Sequence, residues 1–485
     1  MEHQYDCIVI GAGVVGNAVA RQLSACSVTI AVLEKEQDLC FGTSGRNSGV
    51  LHAGFNNKTG SKMARFCVEG NLEFDRIAEE LDVPFKRTGK LIVGFSDDDK
   101  NSLRAMKAQG DANGVPGLEI VGKERIRELA PFIAGEFAMY SPMTGILNPF
   151  IYTVALAENA HKNGAAYFFA CPVTDIFYQD GRYRITAGGR NFASRWIINC
   201  AGLESDKISA LLGIKGHKLY PCRGEYFILD KKAGQYLGIP AYPVPNPREG
   251  GLGIHLTPTI DGNILIGPSS KYIEENDNYS VTQDIMDLLI KDGGRIFPYL
   301  KREYFIRNFA GIRPKLVGPQ EGGFADFVIE RRSEAPYAIN LVGIESPGLT
   351  SALPIAREVV RLIREVEPLK PNPGFDPVRK GPPAFAGLTN GQRRALIQQN
   401  PDYGEIICRC ENITKAEVLE AINRPLGAAT VTGVKYRCRP MMGRCQGGYC
   451  QTRITELLRQ EKKLAVKEVL YQRKGSNMFT GVALK

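Results

Sequence analysis

Three glycines close to the N-terminus limit what this chain can fold into more than any other feature. Gly11, Gly13 and Gly16 stand as G-x-G-x-x-G between the apolar run "YDCIVI" and "VVGNAVARQLSA", whose spacing predicts a helix. "VTIAVLE" then predicts a second strand, ending at Glu34, 18 residues beyond Gly16. Strand, tight turn, helix and strand make a βαβ unit, which implies a parallel sheet. The first glycine makes the turn, the second lets backbone approach a pyrophosphate, and the third lets helix pack on strand. Glu34 is placed to bind ribose hydroxyls. The opening predicts an α/β domain that holds a dinucleotide.

At 485 residues the chain is long enough for two or three domains. The short runs "GKLIVGF", "RGEYFILD", "GIHLTPT" and "GNILIGPSS" suit an antiparallel sheet beside the dinucleotide fold. "YAINLVGIESPGLTSALPIAREVVRLIREV" predicts a strand, a Ser-Pro-Gly turn and a helix with Leu349, Leu353, Ala356, Val360 and Ile363 on one face. From Pro368 to Pro383 there are six prolines, which predicts a linker or an extended belt. The expected class is α/β: a Rossmann-like dinucleotide domain with an interleaved antiparallel β-rich substrate domain, and a small α-helical domain at the C-terminus. The expected division is 1–365, with nucleotide segments about 1–80, 150–215 and 325–365 and a substrate sheet about 81–149 and 216–324. A Pro-rich linker at 366–405, a cysteine-bearing domain at 406–455 and a basic tail at 456–485 follow. "MEHQYDC" has no basic leader region and no apolar run reaches about 18 residues, so neither a secretion signal nor a membrane span is expected. The expected location is the cytoplasm, or the inner membrane through a partner.

Cys408, Cys410, Cys445 and Cys450 form C-x-C, then 34 residues, then C-x4-C. Four thiolates from two short turns can hold a 2Fe-2S cluster, whereas structural zinc sites usually begin with C-x2-C. A zinc site or idle thiols are the alternatives. "IICRCENITKAEVLEAINRPLGAATVTGVKYRCRPMMGRCQGGYC" resembles the bacterioferritin-associated-ferredoxin-like domain, which implies the 2Fe-2S cluster on those four residues and does not require Cys438. The other cysteines are read as buried thiols. Residues 379–485 hold 19 Lys+Arg against 8 Asp+Glu, while the rest of the chain is nearly neutral, so the net +9 belongs to this end. Arg409, Arg437, Arg439 and Arg444 are expected to favour a reduced cluster and dock an acidic redox partner, or else to form a solvated face. Nucleic acid is not expected, because these residues interleave with cysteines rather than stacking aromatics.

Three further runs resemble the D-amino-acid-oxidase-like flavoproteins, which implies FAD. "GTSGRNSGVLHAGF" carries Thr43, Ser44, Arg46, Asn47 and Ser48; "WIINCAGLESDKI" carries Gly202; and "GIESPGLTSALPIA" carries Gly348, Leu349 and Thr350. A helix opened by those last three offers free N–H groups to the negative charge of a reduced flavin. Over about 1–365, "SGVLHAGF", "KMARFCVEGN", "TGKLIVGF", "YPVPNP" and "AGIRPKL" resemble the L-2-hydroxyglutarate dehydrogenase/oxidase type. The whole-chain plan is similar to the catalytic subunit of anaerobic glycerol-3-phosphate dehydrogenase, which implies oxidation of sn-glycerol 3-phosphate to dihydroxyacetone phosphate.

Both resemblances imply a small anionic secondary alcohol, needing a base for the hydroxyl proton and a cation for the anionic end. His3, His161 and His217 read as surface residues, which leaves His255 and His52 as base candidates. Arg313 in "AGIRPKL" is the expected anchor, with Lys315 and Lys90 behind it and Arg223 at the sheet edge or site entrance. After "SGVLHAG" come Phe55, Asn56 and Asn57, which match neither the arginine-tyrosine pair of glycerol-3-phosphate dehydrogenases nor the two tyrosines of hydroxyglutarate enzymes; Lys58 is the substitute cation. The expected function is oxidation of glycerol 3-phosphate with electrons leaving through the cluster. A 2-hydroxy acid dehydrogenase, an opine, proline or glycine dehydrogenase subunit, and a non-catalytic electron-wiring subunit are the alternatives. No second glycine motif suits NAD, so the acceptor is expected on another polypeptide, a second flavoprotein or acceptor subunit in a hetero-oligomer.

Overall fold

The parallel sheet begins as the glycine motif requires. The computed structural model describes residues 2–245 and 253–481. Strand His3–Ile10 pairs in parallel with Ile30–Leu33 on one side and Arg190–Asn199 on the other, and Val14–Ser24 is the crossover helix. Ala166–Phe168 and Ala338–Val342 extend the parallel set, Val328–Glu330 pairs antiparallel with the latter, and Val173–Gln179 and Arg182–Ala187 turn back as an antiparallel meander, giving eight strands among the described residues. Helices Val14–Ser24, Pro149–Lys162 and Gly348–Arg364 bury Val19, Leu23, Leu156, Leu353 and Val359 in one core with this sheet. His3, read as a surface residue at a loose start, lies in the first strand and stacks on Phe192 at 5.2 Å.

A second sheet of nine strands among the described residues stands beside the first. Its long pair is Tyr220–Leu229 against Phe305–Lys315, and Lys90–Gly94 lies deep within it, every residue buried. The pairing is antiparallel except where Ala241–Pro243 runs parallel to Lys90–Gly94. This one parallel pair departs from the expected antiparallel sheet. His217 is also deeper than expected, bonded to Glu330 at 2.7 Å with its side chain 11% exposed.

The proline-rich stretch has a fixed course on the first domain. Pro371 bridges to Cys26, Ser27 N–H donates to Lys370 O at 2.8 Å, and Arg379 is buried against Glu158 at 2.7 Å. Proline cannot extend a sheet, but it can lie along one as a belt. Downstream, Asn390–Gln399 is a helix with a Thr389–Gln392 capping box, so 366–405 is not a structureless linker.

Helices Lys415–Asn423, Val431–Cys438 and Gln451–Glu461 enclose a core of Ile407, Val418, Ile422, Val434 and Ile454. Leu458 and Val469 are fully buried in that core, and Met478 N–H donates to Val469 O. The segment expected to be a separate tail from 456 is thus partly core, because its apolar residues complete a domain too small to close without them.

The arginines of this domain hold it to its own chain. Arg437 forms a buried two-bond pair with Asp38 at 2.6 and 2.9 Å; Arg439 reaches Asp261 and Asn263; Arg444 reaches Asp230. Three of the four arginines expected to meet a redox partner therefore have intramolecular acceptors, although Arg444 is still exposed, and Arg409 stays outward over the Tyr449 ring at 4.2 Å. Arg437→Met is expected to cost about 3–5 kcal/mol by leaving Asp38 buried and unpaired. Chemical denaturation followed by near-ultraviolet dichroism reads that loss. Among the described residues no helix is long and apolar enough to cross a membrane.

Candidate active site

One cavity of about 1050 Å³ runs from the glycine turn to His52, just after strand Val50–Leu51, and His255, at the second sheet. At one end Gly11 adopts φ +103°, and a Cβ there would lie 2.5 Å from Cys200 O; a Cβ on Gly16 would lie 1.9 Å from Gly11 O. Gly11→Ala is thus expected to distort the turn and lower the flavin bound per chain, read from the ratio of visible to ultraviolet absorbance. The buried Glu34 carboxylate accepts from Ala12 N–H at 2.7 Å and Glu36 N–H at 2.9 Å, and burial pushes its pKa up. Gly202, with φ +56°, faces open space on the cavity wall.

The loop after the second strand is built mainly to hold its own shape. Asn47 Nδ2 donates to Thr43 O and Ser44 O, Thr43 Oγ1 donates to Ile312 O, and Ser44 Oγ accepts from Val14 N–H at 2.9 Å. Arg46 lies 4.1 Å over the Tyr279 ring and donates to Ala310 O, while its buried Nε has no partner. Ser48 lines the wall beside Tyr242. Helix Gly348–Arg364 opens on the cavity through Gly348 and Leu349, and Thr350 Oγ1 accepts from His52 N–H at 3.0 Å. A long cavity lined by close-approach glycines, a buried carboxylate at the end of the second strand and a helix N-terminus at the other end fits FAD.

At the far end His255 is 3% exposed and stacked on Tyr242 at 3.5 Å. Its Nδ1–H donates to Gly253 O at 2.8 Å, which leaves Nε2 as a buried acceptor without a partner among the described residues. Burial, set against the bond to Gly253, and the charges of Lys90 and Arg313 push its pKa down to about 3, so the ring is neutral. His52 is also held neutral by burial and by Lys90 and His255, and its Nε2 stands 3.4 Å from Ser346 Oγ. Arg313 lines the cavity and donates to Ser269 O and Cys222 Sγ, with no carboxylate partner among the described residues.

The other expected cations divide sharply. Lys315 Nζ is taken by Gly323 O at 2.8 Å and by Glu345 at 3.1 and 3.2 Å, and so holds no ligand. Arg223 is paired with Glu225 away from the cavity. Lys90 lies in the wall with its Nζ unpartnered. Its signal in the sequence was a lysine inside the otherwise apolar run "KLIVG". Asn56 Oδ1 is a further orphaned acceptor; Lys58 is exposed. Tyr279 lies in no motif, whereas Tyr242 and Ser346 lie in the runs "YPVPNP" and "GIESPGLTSALPIA", which do not single them out as site residues.

The cluster cysteines come together as two pairs, Cys408 with Cys450 and Cys410 with Cys445. Among the described residues no three His, Cys, Asp or Glu side chains are set to hold one metal ion. Two pairs suit two irons that take two thiolates each. The hydrogen bond shared by Cys408 and Cys450 lowers Cys408, against burial and with N–H donors from Met441, Glu411 and Cys410, and raises Cys450, so in this pair Cys408 is the thiolate and Cys450 the donor. Asn412, Arg439, Met441 and Gln446 take positive φ where the two loops curl, and Met441 N–H faces the sulfurs of Cys408 and Cys450. Cys408 and Cys450 are buried, whereas Cys410 and Cys445 are exposed, so one edge of the site meets the outside. Cys438 is turned away, its thiol 3.5 Å from Val434 O.

The comparisons agree with this geometry. The family described as FAD dependent oxidoreductase matches residues 6–362, and the BFD-like [2Fe-2S] binding domain matches 406–460. The chain belongs to the FAD-dependent oxidoreductases, and it carries a C-terminal 2Fe-2S domain; its cofactors are FAD and a 2Fe-2S cluster. It is 37% identical to glycerol 3-phosphate dehydrogenase of Caloramator mitchellensis over 480 residues, 98% of each chain. It is 32% identical to the mitochondrial L-2-hydroxyglutarate dehydrogenase of Caenorhabditis elegans over 400 residues, 73% of this chain and 92% of that one. Dithionite-reduced L-alpha-glycerophosphate oxidase from Mycoplasma pneumoniae, with FAD bound, superimposes with a TM-score of 0.73 at 27% identity, covering 79% of this chain and all of the other.

Proposed function

We propose that this protein oxidises sn-glycerol 3-phosphate to dihydroxyacetone phosphate and passes the electrons out through its 2Fe-2S cluster. The observation that carries this reading is the likeness to a glycerol 3-phosphate dehydrogenase over 98% of both chains, the cluster domain included. Bound FAD supplies the hydride acceptor. His255 Nε2, unpartnered and neutral, takes the carbinol proton, and its fixed Nδ1–H keeps that lone pair directed into the cavity. With its pKa near 3 the ring is a weak base, and an anionic substrate beside it raises that pKa toward a working value. Arg313 grips the anionic end, and His52 orders the wall between Ser346 and Thr350. Gly11, Gly13, Gly16, Glu34, Thr43, Ser44, Arg46, Asn47, Ser48, Gly202, Gly348, Leu349 and Thr350 form the FAD cradle, and Cys408, Cys410, Cys445 and Cys450 ligate the cluster.

A 2-hydroxy acid such as L-2-hydroxyglutarate is the second reading, favoured by 32% identity over the front domain and by Asn56, whose orphaned Oδ1 can meet a polar substrate. We divide the chain into an oxidoreductase part near 1–365, a belt, and a cluster domain. The acceptor is a separate redox protein docking at the exposed Cys410–Cys445 edge, in the cytoplasm or where that partner holds the pair at the inner membrane. Anaerobic addition of glycerol 3-phosphate is expected to bleach the flavin absorbance within seconds; bleaching by L-2-hydroxyglutarate alone would move the assignment to the second reading.

A further inference from the structure

Lys90 is the cavity cation that the fold leaves unanswered. It is 0% exposed, its Nζ has no hydrogen-bond partner among the described residues, and it lies 4.6 Å from the Phe55 ring centre and 4.2 Å from that of Tyr242. Aromatic faces attract a cation but offer its N–H groups no lone pair to replace water. The titratable groups facing it are Cys67 from helix Lys62–Leu72, His52 from the turn after Val50–Leu51, and Tyr242 and His255 from the second sheet, with no carboxylate among them. Lys315, one sheet position away in role, shows the structural alternative, a buried lysine matched by Glu345. An unmatched buried amine opposes folding, so its place in a ligand cavity points to a ligand.

We propose that the ammonium of Lys90 holds the anionic end of the substrate between the Phe55 and Tyr242 rings, with Arg313 as the second cation of the site. This rests on the reading of the substrate as a small anionic alcohol. Burial pushes the empty-site amine down to about 7. Above that pH it has lost its proton, and an arriving phosphate or carboxylate restores it, so binding takes up a proton. The same residue makes the fold more stable as pH rises from about 7 to 10.5, where the unfolded lysine keeps a proton that the folded one has lost.

The test uses the FAD- and cluster-loaded protein at pH 8, with glycerol 2-phosphate and 2-oxoglutarate as probes that offer no secondary alcohol. Calorimetry in buffers of different ionisation enthalpy is expected to show close to one proton taken up per probe bound. Lys90→Met is expected to weaken binding ~10–100-fold and abolish the uptake, while raising the melting temperature and flattening its rise with pH. Lys90→Arg, always charged, is expected to keep part of the affinity without the uptake. Unchanged binding and uptake in Lys90→Met, or no binding of either probe to the unaltered protein, would overturn the proposal. Uptake with 2-oxoglutarate alone would keep Lys90 as the anion seat and sink glycerol 3-phosphate as substrate. Flavin bleaching by glycerol 3-phosphate with an unchanged half-saturation in Lys90→Met would keep the substrate and sink the seat.

Discussion

His255→Ala is expected to slow substrate-driven flavin reduction by about 10²–10⁴-fold, the usual worth of a placed general base, while flavin and iron contents stay at their normal ratios. The expectation rests on the tautomer. Gly253 O accepts the Nδ1 proton, so the one atom left to take a proton inside the cavity is Nε2, and it has no other partner. Stopped-flow bleaching under anaerobic conditions, run beside His52→Ala, measures the two roles separately. A larger loss in His52→Ala would transfer the base assignment to His52. The stability sign is also defined. His255 is neutral in the fold down to about pH 3, whereas the unfolded ring binds a proton below 6.5, so its burial destabilises progressively as pH falls between those values. His255→Ala should therefore soften the acid side of the melting curve.

Cys445→Ser is expected to abolish electron delivery to an external acceptor while flavin reduction by substrate proceeds at its normal rate. Cys445 lies on the exposed edge of the cysteine site, in the C-terminal domain and outside the lining of the flavin cavity, and its loss removes one of two thiolates from one iron. Iron content and the visible bands of the cluster check the loss, and turnover with a one-electron dye against single-turnover bleaching checks the separation. If both steps fall together, the cluster domain is a structural prop for the flavin site. Arg437, Arg439 and Arg444 make that outcome conceivable in physical terms, since they bind the domain to both sheets of the same chain.

The cofactor sites were legible because their parts are local. The glycines, Glu34 and the crossover helix lie within 24 residues, and backbone geometry leaves few other uses for that order. The cysteine spacing is similarly self-contained within two loops. The substrate end was only half legible. His255 and Arg313 stand in the cavity as expected, but Lys315 and Lys90 looked alike in sequence, and nothing near Lys315 in the chain reveals that Glu345 neutralises it. The charge of the C-terminal domain was read as a face for a partner for the same reason.

What the sequence by itself determined is the α/β opening and the two cofactors, because the glycine turn with its crossover helix and the cysteine spacing are each local patterns. What only the tertiary structure decided is which charges remain free. Asp38 meets Arg437 across 399 residues of chain, Asp230 meets Arg444, and Lys90 meets no acid among the described residues. A salt bridge is governed by distance and burial, neither of which is a function of sequence separation.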